Sequence, residues 1–442
     1  MKLLVVGGQW PPETFIQRRL QGLAQVGFDV TVVTNRNESR NASVDGITWI
    51  PVPVWEGAAL QRAGEIARML VAGFLQAPAK TWRILRISHA EAGAGKLRML
   101  HQLLPFASLR PDFLHFEWNF AAVRGLPLID LLGCPTVVSC RGAHVQIAPH
   151  NPERQVEASQ LPLTFHKASA IHCVSQAIRE EAIALGAPPS KTHIIRPAVD
   201  PNLFRPAEPR QRRDGRFRIV MTGSLIWRKG YEYALSALRK LLDRGVNATL
   251  VLIGSADKEN RQRLLYTIHD LDLLAHVELP GNLPPGDVVK ALQKADAFLL
   301  ASVSEGISNA VLEAMSCGIP VVTTDCGGMR EAVTDGVEGF LVPVRSARKM
   351  ADALETLANE PALRARMGDA ARARIVQDFQ LRDQIRNWVS LYSRLLEKPD
   401  AFRLTHGDCQ VSPVIGIDGA RLTPGGEVQP LSASTAGRPG RS

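Results

Sequence analysis

Short apolar runs alternate with helix-compatible stretches along the whole 442-residue chain, and this alternation limits the fold more than any other feature. In the first half, residues 3–6, 30–34, 48–54, 113–116, 136–140, 170–174 and 193–196 read as strands. Residues 13–25 and 176–185 read as helices, closed by Gly27 and Gly186. The pattern restarts after a break, with strands at 218–223, 249–254, 297–301 and 321–324 and helices at 231–243 and 288–295. Strands separated by helices predict parallel sheets covered on both faces. Two successive sets predict an α/β protein of two Rossmann-like, doubly wound lobes facing each other across a cleft.

The break lies near Arg196-Pro-Ala-Val-Asp-Pro-Asn-Leu-Phe-Arg-Pro206, where three prolines stiffen the chain, followed by the charged stretch 210–216. The expected units are a first lobe at 1–200, a second at 201–379, a last helix at 380–397 and a disordered tail at 398–442. Gly, Pro, Ser and Thr dominate that tail and its periodicity vanishes.

Chemistry concentrates in Glu305-Gly-Ile-Ser-Asn-Ala-Val-Leu-Glu313. The preceding 297–301 run is a buried strand, 310–315 begins a helix, Ser308 or Asn309 can cap it, and Gly318 with Pro320 ends it. Free N–H groups at a helix start favour an anion such as a diphosphate. Two carboxylates there would repel a phosphate unless they served hydroxyls, so the ligand implied carries both groups. A nucleotide-sugar fits that description.

This window resembles the Glu-x7-Glu signature of retaining glycosyltransferases of the GT-B fold, in particular glycosyltransferase family 4. The block from Gly318 to Pro343 is similar to the family's C-terminal motif, and Thr222-Gly-Ser-Leu-Ile-Trp-Arg-Lys-Gly230 to its diphosphate-binding turn. The resemblance implies that Gly223, Ser224, Arg228 and Lys229 meet the donor diphosphate. Lys229 matches the family lysine, whereas Ser224 stands where an arginine is usual and Arg228 is the candidate replacement. It further implies that Glu305 with Gly306, Ile307, Ser308 and Asn309 addresses the donor sugar, and that Glu313 holds the ribose hydroxyls. Neither glutamate is expected to act as a covalent nucleophile.

On the acceptor side, Glu13 and Thr14 lie in Pro12-Glu-Thr-Phe-Ile16, which is similar to a run in exopolysaccharide-type relatives. Arg141 and His144 occupy Val138-Ser-Cys-Arg-Gly-Ala-His144, where many relatives carry Ser-x-His-Gly-x-Asp. His144 is the first-lobe candidate for catalysis, and Arg141 and His115 are candidates for acceptor contact. For each of these three, local pairing is the competing reading.

Composition narrows the partners. The net charge of +9 suits a polyphosphate or an anionic membrane surface, and no basic stretch carries the interleaved aromatics of a nucleic-acid site. Six cysteines without Cys-x-x-Cys or paired Cys/His spacing, and no Asp-x-Asp in a metal-binding context, imply neither zinc nor a required divalent ion. Residues 57–110 stand apart. Arg62, Arg68, Lys80, Arg83, Arg86, Lys96, Arg98 and Arg110 face only Glu65 and Glu91, with an apolar side that includes Leu75 and Trp82. This basic amphipathic insertion reads as one or two helices, either lying on an anionic membrane near a lipid acceptor or packed as ordinary lobe helices.

Taken with the resemblance, these residues imply a cytoplasmic hexosyltransferase, peripheral on the inner face of the membrane if the insertion docks there. It would move sugar from a nucleotide-sugar donor to a saccharide or lipid-linked acceptor in surface polysaccharide synthesis, with no cofactor or metal. A nucleotide-sugar epimerase of the same fold and a non-catalytic partner subunit are the alternatives. A phosphorylase would need a pyridoxal lysine that is not identifiable, and a dehydrogenase would need the Gly-x-Gly-x-x-Gly turn that Gly7-Gly8-Gln-Trp-Pro lacks.

Overall fold

The computed structural model describes residues 1–7, 13–35, 42–44, 46–53, 55–89, 94–207 and 215–396. The expected tail at 398–442 lies outside these residues, as does most of the charged stretch at 210–216.

Two sheets organise the chain. The first contains β1 (Lys2–Val6), β2 (Asp29–Asn35), β3 (Ala42–Val44), β4 (Ile47–Val52), β5 (Phe113–Phe116), β6 (Thr136–Cys140), β7 (Ala170–Cys173) and β8 (Thr192–Ile194), in the order β3-β4-β2-β1-β5-β6-β7-β8. All neighbours are parallel except β3 against β4. The second contains β9 (Phe217–Thr222), β10 (Ala248–Ile253), β11 (Val277–Gly281), β12 (Ala297–Leu300), β13 (Val321–Thr324) and β14 (Gly339–Val342), in the parallel order β11-β10-β9-β12-β13-β14. Central strands such as Ala-Thr-Leu-Val-Leu-Ile of β10 are buried along their whole length, because helices cover both faces.

Each sheet changes direction once. The first reverses between β1 and β5, the second between β9 and β12. Loops leaving two strands at such a reversal splay apart and open a crevice at their carboxyl ends. In the second lobe those loops carry Lys229 and Glu305; in the first they carry Glu13 and Glu117.

The segment 57–110 departs from expectation. It folds as three helices, α2 (Ala59–Gln76), α3 (Pro78–His89) and α4 (Ala94–Leu103), with a final 3-10 turn Leu104–Phe106. Helices α2 and α3 cross tightly at Gly73, where an added Cβ would sit 2.7 Å from Thr81 Oγ1. Strands β3, β11 and β14 are additions to the expected set.

The last helix, Leu381–Leu395, packs on α1 (Thr14–Gln25) and contributes Ile385, Trp388 and Tyr392 to the core beneath β1, β2 and β4. Gly22 of α1 lets Ile385 approach to where a Cβ would be 2.6 Å away. The last described helix therefore returns to the lobe that holds β1 and α1.

Candidate active site

The second-lobe site is built on two strand ends. After β9 the chain turns through a short 3-10 segment, Trp227–Lys229, ended by Gly230 in the left-handed region (φ 67°). A Cβ at Gly230 would lie 2.0 Å from the Ala301 carbonyl oxygen, so this turn must press directly on the loop after β12. That contact carries Lys229 to Glu305. Lys229 Nζ donates to Glu305 Oε1 at 2.5 Å, Ser302 Oγ donates to the same oxygen at 2.8 Å, and Arg228 Nη1 stands 3.5 Å from it. Arg228 Nη1 also donates to the Ser304 carbonyl at 2.8 Å. Burial pushes the Glu305 carboxyl up, but Lys229 and Arg228 outweigh that effect and leave it below the usual carboxylate range. It is a carboxylate at neutral pH.

The following helix, Asn309–Ser316, starts behind Ser308. Ser308 holds the N-cap position without a side-chain cap, which corrects the expected capping, and its own N–H faces Met329 Sδ at 3.4 Å. The Oδ1 of Asn309 is buried without a hydrogen-bond partner. One turn on, Glu313 reaches across the cleft to Arg18 of α1, with Nη1 2.9 Å from Oε1. Arg18 is buried, and its guanidinium lies 4.9 Å over the Phe204 ring. Ser224 is exposed at the surface of the β9 loop, while Gly223 and Ser224 offer their carbonyls to Tyr231 Oη, each at 3.3 Å.

The lobes meet through glycine. A Cβ on Gly142 would fall 3.0 Å from Gly306 N, one on Gly306 2.5 Å from Val174, and one on Gly328 2.5 Å from Ser175. Ser304 Oγ donates to Gln146 Oε1 at 2.7 Å. Glu331 of the second lobe accepts from the Gln176 N–H at 2.7 Å, capping a first-lobe helix, and pairs with Arg196 at 2.8 Å.

The first-lobe candidates divide. Glu13, at the start of α1, and His144 line a cavity of about 870 Å³ together with Val6, Trp55, Arg98, Phe106 and Trp118. Thr14 is exposed on the first turn of α1. The His144 ring stacks on Trp118 at 4.6 Å, and burial with four nearby arginines lowers its pKa to about 4. It is therefore neutral at pH 7, with Nδ1 buried and unpartnered.

His115 lies elsewhere. It is fully buried, with Nδ1 2.6 Å from Tyr392 Oη and Nε2 2.8 Å from Ser139 Oγ. Ser139 Oγ is 2.8 Å from His172 Nδ1, and His172 Nε2 is 2.9 Å from the Ile195 carbonyl. A carbonyl can only accept, so His172 Nε2 carries the hydrogen. Its Nδ1 then accepts from Ser139, Ser139 accepts from His115 Nε2–H, and His115 Nδ1 accepts from Tyr392. Every member is satisfied. Burial, then nearby arginines, hold both rings well below the normal histidine pKa, so both are neutral.

Arg141 sits beside this chain rather than alone at the cleft. Its Nη2 donates to Glu117 Oε2 at 2.9 Å, and Arg19 Nη2 holds the other oxygen. Glu117 is fully buried between the two guanidiniums. Arg18, Arg19, Glu117, Trp388 and Tyr392 are not among the residues that the sequence motifs mark. The one signal available was Glu117 itself, a charge immediately after the apolar Phe113–Phe116 strand.

Two family profiles match successive stretches of the chain. The profile of Glycosyltransferase Family 4 matches residues 12–203, and that of Glycosyl transferases group 1 matches residues 206–374. The amylovoran biosynthesis glycosyltransferase of Erwinia amylovora is 26% identical, over 89% of this chain and 100% of its own length. A glycogen synthase of Mycobacterium tuberculosis is 27% identical, over 86% of this chain and 91% of that one. Among solved structures, Anabaena HepE in complex with UDP and glucose shares the fold at a TM-score of 0.68 and 19% identity, over 89% of this chain and 100% of that one.

Proposed function

The chain belongs to the glycosyltransferases of GT-B fold, a family 4 region followed by a group 1 region, and from that premise we propose that it transfers a hexose from a nucleotide-diphosphate sugar to a saccharide or lipid-linked saccharide, with retention of configuration. The observation that carries this reading is the convergence of Lys229, Arg228 and Glu305 beside the start of helix Asn309–Ser316, with Glu313 one turn deeper. Two cations and a helix N-terminus can neutralise charge building on a departing diphosphate. Carboxylates at 305 and 313 accept hydroxyl hydrogens from sugar and ribose.

In this mechanism Lys229 and Arg228 turn toward the diphosphate as it enters, sharing the charge now spent on Glu305. Glu305 then grips the hexose hydroxyls, and Glu313 exchanges Arg18 for the ribose. The glutamates do not attack carbon. Instead the acceptor hydroxyl approaches from the face that the diphosphate leaves, and a diphosphate oxygen takes its proton. The cations supply the charge neutralisation that a metal would otherwise provide, so turnover should survive a chelator.

Relatives of this chain include an amylovoran biosynthesis enzyme, which favours a surface polysaccharide as the product. HepE, crystallised with UDP and glucose, makes UDP-sugars the first donors to test. The decisive experiment measures thermal stabilisation by UDP-, GDP- and ADP-sugars, then follows the anomeric configuration of the product by NMR. Bound ligand raises stability by mass action. Stabilisation by none of the donors would refute the site, an inverted product would refute retention, and donor conversion without acceptor would favour an epimerase.

A further inference from the structure

Helices α2 and α3 form a hairpin whose closed end presents apolar side chains to solvent. Val71 is 62% exposed, Leu75 82% and Trp82 61%, while Phe74 lies edge-on to Trp82 with ring centroids 5.7 Å apart. Exposed large apolar groups are unremarkable when scattered, but these converge where the two helices meet. Arg68 lies on the α2 face shared with Val71 and Leu75, Arg86 lies one turn from Trp82 on the same α3 face, and Arg83 borders that face. All three arginines are exposed and make no hydrogen bond or ion pair among the described residues. The hairpin's one acid, Glu65, is turned inward to His101 at 3.0 Å. Helix α4, which packs on both α2 and α3, supplies Arg98, Met99 and Gln102 to the first-lobe cavity.

We propose that this hairpin tip docks the protein on an anionic lipid bilayer, the apolar side chains entering below the headgroups and the arginines pairing with lipid phosphates. An apolar tip collared by cations that make no ion pair among the described residues, with no exposed acid on α2 or α3, matches such a bilayer in both chemistry and charge. A protein partner would leave the arginines needing acidic side chains of its own. Docking would also bring the cavity that holds Glu13 and His144 close to the membrane, where a lipid-linked acceptor resides. This goes beyond the transfer reaction and does not depend on which sugar is moved.

The test is sedimentation of the full chain with phosphatidylcholine vesicles, with and without phosphatidylglycerol. Retention is expected only on the anionic vesicles and should fall as salt rises. Arg83→Ser with Arg86→Ser should weaken it about 25-fold, roughly fivefold per cation. Leu75→Ser with Trp82→Ser should abolish it. The control pair Leu265→Ser with Tyr266→Ser, exposed on the second lobe, should leave it unchanged. Equal retention on both vesicle types, or an unaffected arginine variant, would overturn the proposal. So would self-association, abolished by Trp82→Ser, in place of vesicle binding. Donor-induced thermal stabilisation without vesicles reports on the transfer reading separately.

Discussion

The two faces of the cleft use polar residues in opposite ways. At the first-lobe strand ends, His115, Ser139, His172 and Tyr392 form a closed chain, and Glu117 is locked between Arg19 and Arg141. In the histidine chain every bond is already made, in a fully buried setting. At the second-lobe strand ends, Lys229, Arg228 and Glu305 are held together on loops, and Glu313 is tied only to a residue across the cleft. Charges arranged in that way can change partners when a polar ligand arrives. The comparison teaches that similar strand-end positions in related sheets can be spent on rigidity in one lobe and kept exchangeable in the other.

The harshest way to break this contrast is Glu117→Ala. It would strand two guanidiniums in the interior, and removing one partner of a buried ion pair costs about 3–5 kcal/mol. Chemical denaturation should show that loss, and a wild-type midpoint would mean the first-lobe network carries no structural burden. Lys229→Ala comes next. Turnover of the donor should drop by roughly a hundredfold or more, measured as nucleotide release, whereas unchanged turnover would place the diphosphate elsewhere.

Acid should separate the faces as well. His115 and His172 are held well below 6.5 and His144 near 4, so the unfolded chain binds more protons between about pH 6.5 and 4. Stability should fall through that window as pH falls, by up to about 1.4 kcal/mol per pH unit for each ring. Glu305 has the same sign but acts lower: its depressed pKa stabilises the fold above the normal carboxylate range, and that contribution is lost as pH falls through the folded value. Denaturation midpoints that stay flat from pH 7 to 5 would contradict the neutral buried rings.

Arg18→Ala probes the tie between the lobes. If Glu313 gives up Arg18 to take the ribose, removing Arg18 should lower the donor KM by up to about tenfold, roughly 1.4 kcal/mol, with kcat nearly unchanged and partial reversion in Arg18→Lys. A fall in kcat at constant KM would point to a different task. The mildest change is Tyr392→Phe, which removes one hydrogen bond to His115 and should cost about 0.5–1.5 kcal/mol without altering donor affinity.

Much of the second-lobe site was legible because its residues are close together in the chain. The apolar β12, the cap-and-helix pattern at Ser308 and Asn309, and the glycine after Lys229 all leave local signatures. The first lobe misled for the opposite reason. His115 looks like any polar residue at a strand end, and its partner Tyr392 lies 277 positions away. Of the weakly patterned edge strands, β3 and β14 were missed for their brevity, and β11 because alternating exposure blurs an apolar run.

Local patterning thus determined most strands, a minority of the helices, the two-lobed α/β class and the short segments carrying Lys229, Glu305 and Glu313, since periodicity and turn chemistry act over a few residues. Only the tertiary structure decided that Glu305 meets Lys229, that Glu313 reaches Arg18, and that His115 is sealed under the last helix. Those pairings depend on which strand ends the sheet order sets side by side, and a chain's linear order does not encode such distances.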